Sequence, residues 1–248
     1  MMGSMNKDRD LEGLSALVTG ATSGLGQAAA GQLARHGAEV IVHGRDAGRG
    51  QAVVDAITAE GGKARFFAAD LTVPAQLDDL AAEASSVDVL VNNAGVAWFG
   101  PTPELDVTTF GVLFTANVQA PYFLTAALAP KMAARGSGSI INVGSMAGEV
   151  GMPGGAAYGA TKAALDSMTR SWAAEYSPAG VRINTVASGP VYTAIQSDEV
   201  TDAVGATTIM ARAAQPEEIA NVIVFLASPK ASYITGAVIA ADGGRTAI

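Results

Sequence analysis

The chain predicts a single α/β domain built on a doubly wound parallel sheet of about seven strands, with helices on both faces. Two observations predict it. Short β-branched runs alternate with longer alanine-rich segments, and no linker, low-complexity tract or internal repeat interrupts the series. A glycine-rich turn also stands directly between the first such run and the first helical segment. At 248 residues the chain has the size of one undivided α/β domain.

In order, strands are predicted at Leu14 to Thr19, Glu39 to His43, Ala64 to Ala68, Asp88 to Asn92, Ser139 to Val143, Arg182 to Val186 and Ala237 to Ala240. Segments of helical length lie between them, at Gly24 to His36, Ala47 to Glu60, Pro74 to Ala84, Val107 to Arg135, Ala156 to Ser177 and Pro216 to Ala227. The longest irregular stretches, Val96 to Asp106 and Gly189 to Arg212, follow strand ends, where open α/β sheets bind ligands. They are the expected walls of a substrate pocket, with 189–212 as its loop. Residues 1–10 read as a disordered or tag-derived N-terminus, with Gly3 to Met5 an expression scar, and 11–248 as the domain.

Composition excludes several classes. There is no cysteine, hence no disulfide scaffold and no thiolate metal site. Lys and Arg number 15 against 23 Asp and Glu, a net charge of -8, so no basic stripe is available for nucleic acid. No uninterrupted apolar run approaches the roughly 18 residues that span a bilayer, and Met1 to Asp10 lacks a signal peptide's apolar stretch. The expectation is a soluble, cytoplasmic protein.

Thr19-Gly20-Ala21-Thr22-Ser23-Gly24-Leu25-Gly26 joins the first strand to the first helix. Glycines there let the backbone turn tightly and approach a pyrophosphate seated at the positive helix terminus. The sheet is therefore expected to be of the Rossmann type, with a dinucleotide as ligand. Tyr158 and Lys162, at i and i+4 of a helix, lie one above the other on one face. An ammonium held beneath a phenol favours the phenolate, and such a phenol can exchange a proton with an alcohol or a carbonyl. Ser145 precedes Tyr158 by thirteen residues, just past the fifth strand, where it can hydrogen-bond a substrate oxygen. Beside a nucleotide turn the matching reaction is hydride transfer. Asn117 lies inside the long predicted helix, four residues before Pro121. A helical N–H at 121 would bond the Asn117 carbonyl, but proline has none. That carbonyl is left free to hold a water, with a local bend. His36 and His43, at element ends, read as structural, and no ligand cluster for a metal is present.

These residues resemble the short-chain dehydrogenase/reductase family. The turn has the spacing Thr-Gly-x-x-x-Gly-x-Gly. After it come Asp70-Leu71, Asn92-Asn93-Ala94-Gly95, Asn117, Ser145, Tyr158-x-x-x-Lys162, Gly189-Pro190, Ile234-Thr235-Gly236 and Asp242-Gly243-Gly244, in the family's order over residues 10–245. The chain departs from the pattern at Ser188, where relatives carry proline, and at Ala211, where glycine is frequent. The resemblance implies a catalytic set of Asn117, Ser145, Tyr158 and Lys162. In it Tyr158 is the acid or base, Lys162 also holds the nicotinamide ribose, and Asn117 carries a relay water.

It also implies a cofactor site formed by Gly20, Thr22, Ser23, Gly24, Leu25, Gly26, Arg45, Asp70, Leu71, Asn93, Ala94, Gly95, Pro190, Val191 and Thr193, with Tyr158 and Lys162. The family's acidic ribose-reading position falls on Gly44 and its phosphate-reading position on Arg45, which favours NADP(H). NAD(H) stays open, because Asp46 is close and Ser23 stands where NADP-preferring relatives often carry a basic residue. Val96, Trp98, Met146, Met152 and Tyr192, with Phe99, Ile195 and Met210 nearby, suit an apolar pocket for a neutral carbonyl or secondary alcohol. The alternatives are a 3-oxoacyl thioester reductase, for which Lys131, Arg135 and Arg170 are the candidate docking cations, and, remotely, a non-catalytic dinucleotide-sensing regulator. Relatives assemble through the helices carrying Asn117 and Tyr158, so a homotetramer or homodimer is expected.

Overall fold

Seven parallel strands form one sheet in the order β3-β2-β1-β4-β5-β6-β7. They are β1 (Ser15–Val18), β2 (Glu39–Gly44), β3 (Lys63–Ala68), β4 (Val89–Asn92), β5 (Gly138–Ser145), β6 (Val181–Ser188) and β7 (Val238–Ala241). This computed structural model describes residues 9–193 and 196–248. Most of the expected N-terminal tail, and Ile195 of the expected pocket, lie outside the described residues. Every predicted strand is present. β5 and β6 run further than expected, to the paired residues Ser145 and Ser188. Ser145 is thus the last residue of its strand and not the first beyond it.

Successive strand residues point to opposite faces. Val40 and Val42, Val89 and Val91, and Ile141 pack on one side with α1 (Gly24–Arg35), α2 (Ala47–Ala59) and α8 (Pro216–Ala227). Ile41, Leu90 and Ile140 pack on the other with α3 (Pro74–Glu83), α5 (Ala120–Arg135) and α6 (Ala156–Tyr176). Both faces are covered, as a parallel sheet requires. A polar seam crosses the second core. Asn92 of β4 donates to the Asn142 side-chain oxygen of β5 (2.9 Å), Asn142 donates to Thr169 of α6 (2.8 Å), and Thr169 pairs with Thr185 of β6 (2.8 Å).

The long helix predicted over 107–135 is interrupted. α4 (Val107–Phe114) passes into a π turn at Thr115–Gln119 before α5 begins, and the Ala120 N–H reaches back five residues to the Thr115 carbonyl. Pro121, which cannot donate to residue 117, accounts for the break in the regular ladder. By length and composition the whole run Val107–Arg135 could span a bilayer. Leu124, Leu128 and Met132, however, bury one of its sides in the core, which makes it a core helix. A second correction concerns 189–212, expected to be irregular. It contains α7 (Asp198–Gly205), capped by Ser197, whose side chain accepts from Val200 N, and with Asp198 and Glu199 in the first turn.

Two positions store energy. Ala211 adopts φ 52, a left-handed conformation that glycine takes without strain. Ala211→Gly relieves about 1 kcal/mol of steric cost and loses roughly 0.5 kcal/mol to chain entropy. The expected outcome is a Tm higher by about 1–2 °C, read by thermal denaturation. Asp166 is buried on α6 one turn after Lys162, and its Oδ1 has no hydrogen-bond partner. Burial first, and the charge of Glu149 second, push its carboxyl up from 3.8 to about 6. A raised carboxyl contributes stability that is fully present below 3.8 and is lost as pH rises through about 6. Asp166→Asn should therefore stabilise the fold at pH 8, by up to about 3 kcal/mol, and leave Tm nearly unchanged at pH 4. Equal shifts at both pH values would contradict this.

Candidate active site

The winding reverses between β1 and β4, and a cleft of about 550 Å³ opens there along the carboxyl edge of the sheet. All the residues expected to hold the cofactor, from Gly20 to Thr193, line it. The glycine turn is clamped from the β4 side. Asn93 Nδ2 donates to the carbonyls of Thr19 (2.8 Å) and Gly20 (3.1 Å), and Thr19 Oγ1 accepts from the backbone N–H groups of Asn93 and Ala94, each at 2.9 Å. A Cβ on Gly26 would stand 2.3 Å from both Asn93 Nδ2 and the Gly20 carbonyl oxygen, so only glycine lets helix, turn and β4 meet. With α1 starting at Gly24, the turn fits a pyrophosphate.

At one end of the cleft a Cβ on Gly44 would collide with Thr22 Cγ2 at 2.4 Å, so an acidic side chain has no room there. Arg45 and Arg49 both line this end. Asp46 does not. Its carboxylate caps α2, accepting from Arg49 N (2.9 Å), and sits 3.4 Å from the Arg49 guanidinium. The Arg49 N–H is also the main cause holding the Asp46 carboxyl below its ordinary range. Asp70 accepts from the Thr72 amide (2.9 Å) and hydroxyl (2.7 Å), which hold its carboxyl low as well.

At the other end α6 presents Tyr158 and the buried Lys162. Lys162 Nζ donates to the Val143 carbonyl at 2.9 Å and stands 5.7 Å from the Tyr158 ring centre. The Phe99 ring leans on Tyr158, centroids 5.3 Å apart. Ser145 Oγ accepts from Ala147 N at 3.2 Å, which leaves its own proton available to donate. Asn117 is buried and does not line the cleft. Its amide makes a two-way bond with the Val96 backbone, 2.8 Å each way, and donates to Thr161 at 3.0 Å. It lies under Gly95, where a Cβ would be 2.9 Å from Asn117 Oδ1 and 3.8 Å from Lys162 Nζ.

Val96, Met146 and Met152 line the pocket as expected, joined by Phe99, Val112 and Val204. Trp98 and Tyr192 stand outside the lining. The indole of Trp98 folds over Gly100, whose missing side chain makes room for it. The Tyr192 hydroxyl is drawn to the Asp202 carboxylate on α7. Arg212 is engaged too, making paired 2.7 Å bonds to Glu218. Sequence reasoning did not assign Arg49 or His43 to the cleft, though both line it. The basic residue one helical turn after Arg45 was a legible sign of the first; nothing local marked the second.

A family model described as enoyl-(acyl carrier protein) reductase matches residues 20–246. The chain is 39% identical over 242 residues to cis-4-hydroxycyclohexanecarboxylate dehydrogenase of Sinomonas cyclohexanicum, covering 94% of this chain and 96% of that protein. A solved short-chain dehydrogenase/reductase family protein superposes with TM-score 0.92 at 48% identity, over 96% of this chain and 100% of the other. The gluconate 5-dehydrogenase of Burkholderia cenocepacia, solved with NADP and tartrate, superposes with TM-score 0.91 at 29% identity, over 97% and 98%. The chain belongs to the short-chain dehydrogenase/reductase family and is an NAD(P)-dependent oxidoreductase acting on alcohol and carbonyl groups.

Proposed function

We propose that this enzyme uses NADP(H) to interconvert a neutral, apolar ketone and its secondary alcohol. The observation that carries the reading is the distribution of charge along one cleft. Arg45 and Arg49 stand at the end where the adenosine ribose belongs, and Asp46 is turned away as a helix cap. At the Tyr158 end, Lys162 is the one cationic side chain among the described lining residues, and positions 194 and 195 are Ala and Ile. The Sinomonas relative is named for a ring alcohol bearing a carboxylate. A ring alcohol suits this pocket, whereas its carboxylate would be buried without a partner. Among the cations considered for docking an acyl carrier protein, Arg135 donates to the Val87 carbonyl at 2.6 Å, which weakens that alternative.

The glycine turn, Arg45 and Lys162 would hold the cofactor, which would supply or take up the hydride. Tyr158 gives its phenolic proton to the substrate oxygen in reduction and receives it in oxidation. Ser145, a lone pair occupied by the Ala147 N–H, donates a hydrogen bond to the same oxygen and keeps its proton. The Val143 carbonyl holds Lys162 beneath Tyr158, with further N–H groups for ribose hydroxyls. The Asn117 carbonyl, deprived of a donor at Pro121, holds the relay water. We further propose a homotetramer, supported by the exposed Val107, Phe110, Tyr122 and Phe123 on α4 and α5. A monomer by light scattering at micromolar concentration would refute it.

Tyr158→Phe should lower kcat by about 10³-fold with NADPH affinity within about threefold of wild type, measured by fluorescence titration. Loss of binding instead would move Tyr158 out of the acid–base role. Arg45→Ala should cut the preference for NADPH over NADH by about tenfold or more; an unchanged ratio would return the ribose contact to Asp46. A neutral cyclic ketone should exceed its carboxylated analogue in kcat/KM by about tenfold or more.

A further inference from the structure

His43 ends the apolar run of β2 and is buried at the floor of the cleft. Its Nδ1 accepts from the Gly20 N–H at 3.2 Å, and its Nε2 lies 3.1 Å from the Ala69 carbonyl oxygen. One tautomer alone satisfies both neighbours, with the proton on Nε2. The His43 carbonyl also accepts from Ala21 N at 2.8 Å. One residue of β2 therefore holds two consecutive amides of the phosphate turn and, through its ring, the segment leading into Asp70. Asn93 grips the same turn from β4, so the turn is fastened on both flanks.

We infer that His43 is a positioning residue for the dinucleotide: its ring ties the phosphate turn at Gly20 to the β3 exit at Ala69, setting the spacing between the pyrophosphate and adenine ends of the site. Burial supports the role. It pushes the ring down from 6.5 to about 4, so the ring stays neutral near neutral pH and keeps its acceptor facing Gly20. Asp70, on the β3–α3 connection, is the charged group that acts on the ring, and Arg45, just after β2, acts in turn on Asp70, while the turn from Thr19 to Gly26 carries no charge. An imidazolium would set two donors face to face at Gly20.

The inference rests on the reading of the cleft as a dinucleotide site, and the test separates the two. ADP, which lacks the nicotinamide, is titrated calorimetrically into wild type, His43→Leu, His43→Asn and His43→Gln, with folding checked by circular dichroism. In His43→Leu the ADP Kd should rise about tenfold, since two hydrogen bonds are lost. NADPH and NADH should weaken alike, while kcat at saturating cofactor stays within about twofold. Asn, which keeps an acceptor toward Gly20, and Gln, which keeps a donor toward Ala69, should each recover part of the loss. Where the Leu variant does not fold, the Asn and Gln variants carry the comparison, each weaker than wild type. ADP affinity within twofold of wild type in every folded variant, or a fall in kcat without a change in Kd, overturns the inference. Wild type that binds neither ADP nor NADPH would remove the dinucleotide reading itself, and the inference with it.

Discussion

The hydrogen-bonded seam from Asn92 through Asn142 and Thr169 to Thr185 governs where the chemistry can occur. Apolar contacts alone would let a helix slide over a parallel sheet at little cost. A buried amide admits one arrangement, because displacing it strands polar atoms without water. Thr169 lies on α6 seven residues after Lys162, so fixing it to β5 and β6 fixes the height of α6 over the sheet. Lys162 then meets the Val143 carbonyl, and Tyr158 lines the same cleft as Ser145. The placement of Lys162 against β5 thus follows from a polar lock within the core.

The cofactor end follows a different rule. There backbone does most of the work, and side chains hold the backbone. Thr19, Asn93 and His43 are spent on the turn's own amides and carbonyls, leaving its glycines bare toward the cleft. Charge is used sparingly within an acidic chain of net -8. Two arginines line one end of the cleft and one lysine the other, a distribution of charge along which an anionic nucleotide would be oriented.

Most of the fold was legible because periodicity and turn chemistry are local. Strands of Val and Ile, helices starting at Pro74 and Pro216 and the glycine turn all declare themselves within a few residues. Even the irregular geometry near Asn117 could be foreseen, since Pro121 lacks a donor whatever surrounds it. Helix α7 was missed because its acidic first turn reads as a solvated loop, although Ser197 followed by Asp198 and Glu199 is a helix start. Trp98 and Tyr192 were misplaced for another reason. Their directions depend on Gly100 and Asp202, and a preference for apolar loop residues carries no information about which neighbour a side chain turns to. The ring of His43 meets Gly20, 23 residues earlier, and Ala69, 26 residues later, so no local pattern could disclose its place.

The π turn at Thr115–Gln119 holds one more residue than a regular helical turn would. That extra residue shifts by one the sequence positions that face the core, so the two halves of the 107–135 helix cannot be read on one regular helical pattern. A regular α-helix drawn over the whole segment would place the faces of one half about 100° from where they lie. The π turn is also where Asn117 meets the Val96 backbone, so the irregular piece of the helix is one that reaches the cleft wall.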